Sequence, residues 1–294
     1  MIKKTILLEN KASITVKNNQ LIVKSEIRES SIPVEEIGFI VIDNSEIYLS
    51  IPALNFLIEN NASIIVCNKN HLPNGMFLNL NSHHIQQEIF RNQIDASVPL
   101  KKQLWQQTIV EKITNQGILL NKITESNNAF EFLASKVLSG DSTNMEGVAA
   151  AQYWKSFFEI KFKRERFGDY PNNFLNYGYA ILRAATARAL SGSGLLNTLG
   201  IHHKSKYNAF ALADDIMEPY RPIVDEKVFE IIQTYDEQEL NTVIKSELLQ
   251  ILTRTVYFKD EKSPLMVALQ KTASSLQQCF TGERKKIKYP KLWT

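Results

Sequence analysis

Residues 13–23 read SITVKNNQLIV, two runs of β-branched and aliphatic residues separated by the pair Asn18-Asn19. Such residues favour extended backbone, and asparagine tolerates the left-handed conformation that a tight hairpin turn needs. Two more runs of this kind, at 6–8 and 39–42, lie on either side of these strands. The pattern predicts a meander of antiparallel strands at the start of the chain.

Beyond this region the hydrophobic period changes. Residues 51–60 follow helical spacing and 63–67 return to a strand, but from residue 84 onward apolar residues recur at the intervals of helices that face a core. Strands followed by helices predict an α+β protein and argue against a doubly wound sheet. We expect an N-terminal β-sandwich-like domain at 1–82, a linker helix at 83–97 and an all-helical C-terminal domain at 98–294.

The composition is that of a folded protein without disulfides. Of the 294 residues 44% are hydrophobic, and the two cysteines, Cys67 and Cys279, form no disulfide or metal-binding pattern. The chain shows no signal-peptide run, no membrane-spanning run and neither of the common glycine-rich nucleotide-binding motifs. We therefore expect a cytoplasmic protein that does not bind a membrane or use a P-loop nucleotide.

Charge is unevenly distributed along the chain. The net charge is +3, but residues 1–97 carry 8 basic and 10 acidic side chains, whereas residues 98–294 carry 26 and 21. Basic clusters occur in the run 284–291 and at Lys161, Lys163, Arg164 and Arg166. Such a cluster is either a surface for nucleic-acid phosphates or an ordinary solvated face.

The segment 143–154 holds the first candidate for chemistry, Glu146. Thr143 stands three residues before it, so the pair fits a capping box in which the Glu146 side chain bonds to the helix N-terminus. The neighbouring Gly147 costs a helix about 1 kcal/mol relative to alanine. With the alanines that follow, it forms a slim face that a ligand or another helix can approach. Both interpretations of Glu146, capping residue and ligand, remain open.

A second candidate segment contains two of the five histidines, His202 and His203, in a loop beside Lys204 and Lys206. A loop histidine is either a surface residue or a ligand. In the third segment Asp215 is three residues before Glu218.

Two carboxylates at that spacing share one helix face and repel each other unless a cation lies between them. The alternative for Asp215 and Glu218 is a solvated acidic helix end with Arg221 as a salt-bridge partner.

Glu146, one of the two histidines and Glu218, with Asp215 nearby, supply carboxylate oxygens and one imidazole. This donor set suits Mg²⁺ or Mn²⁺, since hard cations prefer carboxylate oxygen and Mn²⁺ also accepts imidazole. A divalent cation held by few carboxylates is the usual equipment for moving phosphodiester bonds. The basic clusters then fit a surface for the DNA backbone.

These residues lie in motifs that resemble a known family, the CRISPR-associated adaptation integrases, the larger of the two near-universal spacer-acquisition proteins. The similar motifs are E-G-x-A-A-x-x-Y-W at 146–154, G-hydrophobic-hydrophobic-His at 200–203 and D-x-M-E-P-x-R-P-x-V-D at 215–225. The stretches SIPVEEIGFIVID at 31–43 and KKIKYPKL at 285–292 are further similarities. The resemblance covers the whole chain and is to the branch found with type II systems.

The resemblance implies a β-domain that dimerises and a helical catalytic domain that holds the metal, Mg²⁺ or Mn²⁺. Glu146, His203 and Glu218 match the family's three metal ligands, and Asp215 matches a neighbouring acidic position that supports catalysis. His202 is a departure, because the family usually has a hydrophobic residue there.

The implied activity is DNA integration by transesterification, in which the 3′-hydroxyl of a captured fragment attacks a phosphodiester of the CRISPR repeat. The implied assembly is two homodimers bridged by a small ferredoxin-like adaptation partner, with contacts to further type II adaptation factors and the effector nuclease. Expected phosphate contacts are Lys161, Lys163, Arg164, Arg166, Lys204 and Lys206. The alternatives are a metal-dependent endonuclease that cuts branched or single-stranded DNA without joining, and a non-catalytic DNA-binding scaffold.

Overall fold

The computed structural model describes residues 3–79, 83–124, 129–158, 162–165, 168–259 and 261–293. The chain divides into two compact units, Met1–Ser82 and His83–Thr294. Strands come first and helices follow, which confirms the predicted α+β class.

The first unit contains eight strands and one helix within the described residues. They are β1 Lys4–Leu8, β2 Ala12–Lys17, β3 Gln20–Lys24, β4 Glu29–Pro33, β5 Ile37–Ile42, β6 Ile47–Leu49, α1 Ile51–Glu59, β7 Ser63–Cys67 and β8 Pro73–Phe77. Two four-stranded sheets have the orders β1-β5-β7-β8 and β4-β3-β2-β6. Leu8 and Ile40 of one sheet, Ile14 and Leu21 of the other, and Leu57 of α1 share one buried core, as in a sandwich.

The predicted hairpin at Asn18-Asn19 is confirmed. Both residues have positive φ, +50° and +60°, and Lys17 pairs with Gln20 across the turn. The antiparallel meander continues through β4 but does not extend to the other sheet, where β1, β5 and β7 run parallel. That part of the expectation was wrong because parallel pairing depends on crossover connections, here α1 between β6 and β7, rather than on local turns.

The second unit contains helices α2 Gln86–Asp95, α3 Val98–Thr124, α4 Phe130–Ser135, α5 Met145–Phe157, α6 Asn172–Gly192, α7 Ala211–Met217, α8 Arg221–Thr234, α9 Thr242–Leu249 and α10 Leu265–Phe280. An addition to the expected helices is a short antiparallel hairpin of β9 Thr255–Phe258 and β10 Glu261–Pro264. In the described part of the chain no helix is both long enough and apolar enough to cross a membrane.

Helix α6 lies at the centre of the second unit, and α7, α8, α9 and α10 pack against it. α6 and α8 are close at Gly178, where an added Cβ would lie 2.5 Å from Cγ1 of Val224 on α8. α6 ends at Gly192, and Gly194 in the loop that follows has φ +74°. The position of α8, which begins three residues after the candidate residue Glu218, therefore depends on contact with α6.

Candidate active site

Two side chains cap the N-terminus of α5, which carries Glu146. Asn144, at φ +53°, accepts a hydrogen bond from Gly147 N at 3.3 Å. The two carboxylate oxygens of Asp141 accept from the amides of Met145 and Glu146 at 2.8 and 3.0 Å. These bonds satisfy three amides that a helix leaves without partners in its first turn.

The Glu146 side chain is directed elsewhere. Its Oε1 atom accepts a hydrogen bond from Lys112 Nζ of α3 at 2.6 Å. The capping-box interpretation of Thr143 and Glu146 is therefore wrong, because Asp141 and Asn144 do the capping. The carboxylate of Glu146 remains 26% exposed and so lies at the edge of the solvent.

Glu218 is positioned by the junction between α7 and α8. The chain makes a 3-10 turn at Glu218–Tyr220, and α8 then starts with Pro222 in its first turn, where a missing N–H costs nothing. The Glu218 side chain is only 5% exposed, and its Oε1 atom lies 2.8 Å from Nη2 of Arg221. The predicted pairing with Arg221 is present, but a solvated helix end is excluded by this burial.

The carboxylates of Glu146 and Glu218 meet at one cation. Nζ of Lys112 lies 2.6 Å from Oε1 of Glu146 and 2.6 Å from Oε2 of Glu218. Oε2 of Glu218 is buried, and Lys112 is its partner there, since the ammonium carries the opposite charge and donates a hydrogen bond to that carboxylate. Burial would raise the pKa of Glu218, but Arg221 and Lys112 together lower it below its usual value.

Asp215, which is fully buried, contacts the ring of His203 and fixes its position. Nδ1 of His203 lies 2.5 Å from Oδ1 of Asp215, and Oδ2 of Asp215 accepts from His202 N at 2.8 Å. The hydrogen bond to Asp215 is the main cause of a raised His203 pKa. A ring that donates through Nδ1 presents Nε2 as the nitrogen able to bind a metal, so Asp215 orients His203.

Aromatic packing fixes the same loop. The His202 ring stacks on Trp105 of α3, with centroids 4.1 Å apart and planes within 4°, and the His203 ring meets the Trp105 edge at 5.8 Å. Gly200 permits the close fold of the loop, since a Cβ there would lie 2.6 Å from the His203 carbonyl oxygen and 2.7 Å from Oδ2 of Asp215. His202 therefore packs against the helix that supplies Lys112.

The donor set fits a hard divalent cation, although the side chains do not form a finished metal cluster. Among the described residues no three His, Cys, Asp or Glu side chains converge closely enough to hold an ion. Glu146 and Glu218 converge on Lys112. The negative charge of Glu218 is close enough to His203 to contribute to the raised pKa of the His203 ring. The buried carboxylate of Glu218, the partly exposed carboxylate of Glu146 and the Nε2 nitrogen of His203 suit Mg²⁺ or Mn²⁺.

Some of the predicted phosphate contacts are exposed side chains, and another is bonded within the fold. Lys204 and Lys206 are exposed beside His203. Lys163 is exposed and pairs with Glu165 at 2.8 Å.

Arg164 is turned toward α6, where its guanidinium donates to Asn172 and Asn176 at 3.0 and 2.7 Å and lies over the Tyr179 ring. Three guanidinium donors of Arg164 are thus used within the fold, one of them by the Glu165 carbonyl oxygen, and its role as a phosphate contact stays a prediction. Lys161 and Arg166 lie outside the described residues.

Sequence reasoning missed Lys112 and Trp105. Both belong to the buried face of α3, together with Leu104, Thr108 and Ile109. The spacing of this face was visible in the sequence, and a lysine that interrupts it signals a buried partner of opposite charge.

The chain is similar to named proteins over almost its whole length. Residues 5–255 match the family described as CRISPR associated protein Cas1. A CRISPR-associated endonuclease Cas1 of Neisseria meningitidis serogroup C (strain 8013) is 35% identical over 296 residues, which cover 98% of this chain and 96% of the relative.

Solved structures share the fold. A casposase bound to integration product has a TM-score of 0.81 at 20% identity and covers 97% of this chain and 92% of its own. A chain of a Cas6-RT-Cas1–Cas2 complex has a TM-score of 0.74 at 20% identity and covers 99% of this chain and 36% of its own. The family match and the relative at 35% identity show that this chain belongs to the Cas1 family of CRISPR-associated proteins.

Proposed function

We propose that the protein is a metal-dependent DNA integrase of CRISPR adaptation, which joins the 3′-hydroxyl of a short DNA fragment to a phosphodiester of the repeat. The observation that carries this proposal is the convergence of Glu146 and Glu218 on one cationic position beside His203. The Cas1 family supports the chemistry at the coarser level of a CRISPR nuclease or integrase.

Glu146, Glu218 and Nε2 of His203 would hold Mg²⁺ or Mn²⁺. When bound, such an ion polarises phosphoryl oxygens and stabilises the leaving 3′-oxygen. Arg221 fixes one oxygen of Glu218, which leaves the other to face the site. Asp215 holds the His203 ring in one orientation through Nδ1, so that Nε2 points away from its anchor.

Transesterification exchanges one phosphodiester for another and therefore needs no nucleoside triphosphate, in agreement with the absence of a P-loop motif from the sequence. Lys204 and Lys206, exposed in the loop that carries His203, are placed to contact phosphates near the reacting bond. Such contacts position DNA without reading its sequence.

We further propose that the protein works as a homodimer and joins a small ferredoxin-like adaptation partner in a complex of two dimers. Support comes from the similar fold of a chain in a Cas6-RT-Cas1–Cas2 complex. The type II adaptation factors and effector nuclease remain proposed partners on the strength of motif resemblance alone.

The decisive experiment mixes the protein with its small partner, a labelled fragment, supercoiled repeat DNA and Mn²⁺. A joined fragment–repeat product is expected. Cleavage of branched DNA without joining would instead identify an endonuclease, since nearly the same site serves when water attacks. Replacing Glu146 or His203 by alanine should abolish joining while DNA binding persists, and unchanged joining in both variants would refute the assignment of these residues as catalytic.

A further inference from the structure

We propose that Lys112 is a tethered cation that occupies the metal position and is displaced when the divalent ion binds. The inference rests on the proposed metal-dependent function and concerns how its site is loaded. It starts from the short contacts of one ammonium with two carboxylates on different elements, Glu146 of α5 and Glu218 after α7.

The oxygen atoms open to a metal are limited by Arg221. Its guanidinium lies 2.8 Å from Oε1 of Glu218 and is itself held over the Tyr179 ring, with its carbon 4.7 Å from the centroid. Oε2 is therefore the oxygen of Glu218 that is left for an ion. That is the oxygen that faces Lys112 at 2.6 Å.

One position cannot hold both cations. An ion held by the carboxylates of Glu146 and Glu218 would need the space between them that Nζ of Lys112 now fills. Two positive charges in that space also repel strongly in a site where little water screens them. Lys112 is only 8% exposed.

Lys112 is more easily displaced from Glu218 than Arg221 is. A lysine ends in a compact charge on a flexible four-carbon stem, and a planar guanidinium is fixed by its several directed bonds. Lys112 is held at this position by its contacts with Glu146 and Glu218, the same two carboxylates that the ion would take. Before the ion arrives, its charge keeps the two carboxylates from repelling each other.

Lys122 offers a matched control on the same helix. Its ammonium pairs with Glu226, another buried carboxylate, which also pairs with Arg254 and accepts from Trp293 Nε1 at 2.9 Å. Lys122 thus reproduces the chemistry of a lysine of α3 on a buried glutamate without touching Glu146 or Glu218.

The test measures Mn²⁺ affinity of the full chain by calorimetry or by the electron paramagnetic resonance of free Mn²⁺. The Lys112→Met variant should bind Mn²⁺ at least tenfold more tightly than the wild type, because nothing must be displaced, and Lys122→Met should match the wild type. An equal or weaker affinity in Lys112→Met would overturn the inference and leave the metal site standing.

The melting temperature is a second measurement, which keeps the test valid when Lys112→Met is only marginally folded. The melting temperature of Lys112→Met without metal should lie below that of the wild type, and its rise at saturating Mn²⁺ should be the larger of the two. An equal rise in both proteins contradicts displacement. Failure of both proteins to bind Mn²⁺ would overturn the proposed function together with this inference. Where Mn²⁺ does bind, Glu146→Gln should weaken its binding, and an unchanged affinity in that variant would show that the ion binds elsewhere.

Discussion

Two buried carboxylate centres lie one after the other along the segment from Glu218 to Glu226, and they differ in how their carboxylates share donors. In the second centre Asp225 accepts hydrogen bonds from the hydroxyls of Tyr153 and Tyr179, one on each oxygen. Glu226 likewise has partners on both of its oxygens. In the first centre Glu218 shares the ammonium of Lys112 with a second carboxylate, that of Glu146.

The difference separates the proposed metal centre from a structural one. α3 supplies a lysine to each centre, Lys112 to the first and Lys122 to the second. The glutamates are equally buried, with side chains 5% and 4% exposed, but the Lys112 side chain is 10% exposed and that of Lys122 is 54% exposed. A buried ammonium shared by two carboxylates therefore distinguishes the first centre.

The strongest way to break this comparison is to neutralise one carboxylate in each centre. Glu218→Gln should lower the rate of strand transfer about a thousandfold, because one of the few charged ligands is lost where charge develops. Asp225→Asn should retain strand transfer in the fraction that is folded. The assay is fragment joining per mole of folded protein, and an equal loss in both variants would refute the division into two centres.

The second centre should also show itself in the pH dependence of stability. Burial raises the pKa of Asp225 to about 6 from an ordinary 3.8, against the opposing hydrogen bonds from Tyr179 and Tyr153. The folded state then binds a proton that the unfolded state has released, so this group's contribution to stability is complete below about pH 4 and is lost as the pH rises through 6.

Denaturant unfolding of wild type and Asp225→Asn between pH 4 and pH 7 measures this effect. The difference in unfolding free energy should fall by about 3 kcal/mol over that range, from the size of a two-unit pKa change. A difference that stays constant with pH would show that Asp225 is ionised throughout.

A smaller effect sharpens the role of the tyrosines. Tyr153→Phe removes the donor that lies 2.8 Å from Oδ2 of Asp225 and leaves that oxygen buried and unbonded. The expected loss is about 2 kcal/mol of stability with no change in strand transfer. Tyr207→Phe is the control, because Tyr207 is 86% exposed. Loss of strand transfer in Tyr153→Phe would connect the two centres.

The smallest expected effect concerns DNA binding. Replacing Lys204 and Lys206 by glutamine should weaken DNA binding to all sequences and reduce the salt dependence by about one phosphate contact for each lysine. Arg164→Gln should leave the salt slope unchanged, since its guanidinium is bonded to Asn172 and Asn176. Binding isotherms at several salt concentrations measure this slope. A reduced slope in Arg164→Gln would show that Arg164 does contact DNA phosphates.

The sequence predicted what short spacing controls. The turn at Asn18-Asn19 follows from residues that adopt positive φ, and the change from strands to helices follows from the hydrophobic period. The parallel pairing of β1 with β5 joins residues more than thirty positions apart, such as Leu8 and Ile42, and no local signal carries it.

The candidate site shows the same limit on what can be predicted from the sequence. Glu146, His203 and Glu218 stand in recognisable motifs, but their relation to Lys112 depends on how α3 packs against two other elements. The orientation of Arg164 likewise depends on asparagines of α6 that the charge pattern does not reveal. Charge clusters show where basic residues lie along the chain and not which way they face.

The close contact between Gly178 and Val224 has a practical consequence for genetics. A methyl group at position 178 would meet Val224 Cγ1 at 2.5 Å, and Val224 belongs to the helix that begins with Arg221. Gly178→Ala therefore strains the scaffold without altering any reacting group. Such a change is a natural starting point for a temperature-sensitive allele, with which the activity of the protein in living cells could be stopped and restarted by a shift of a few degrees.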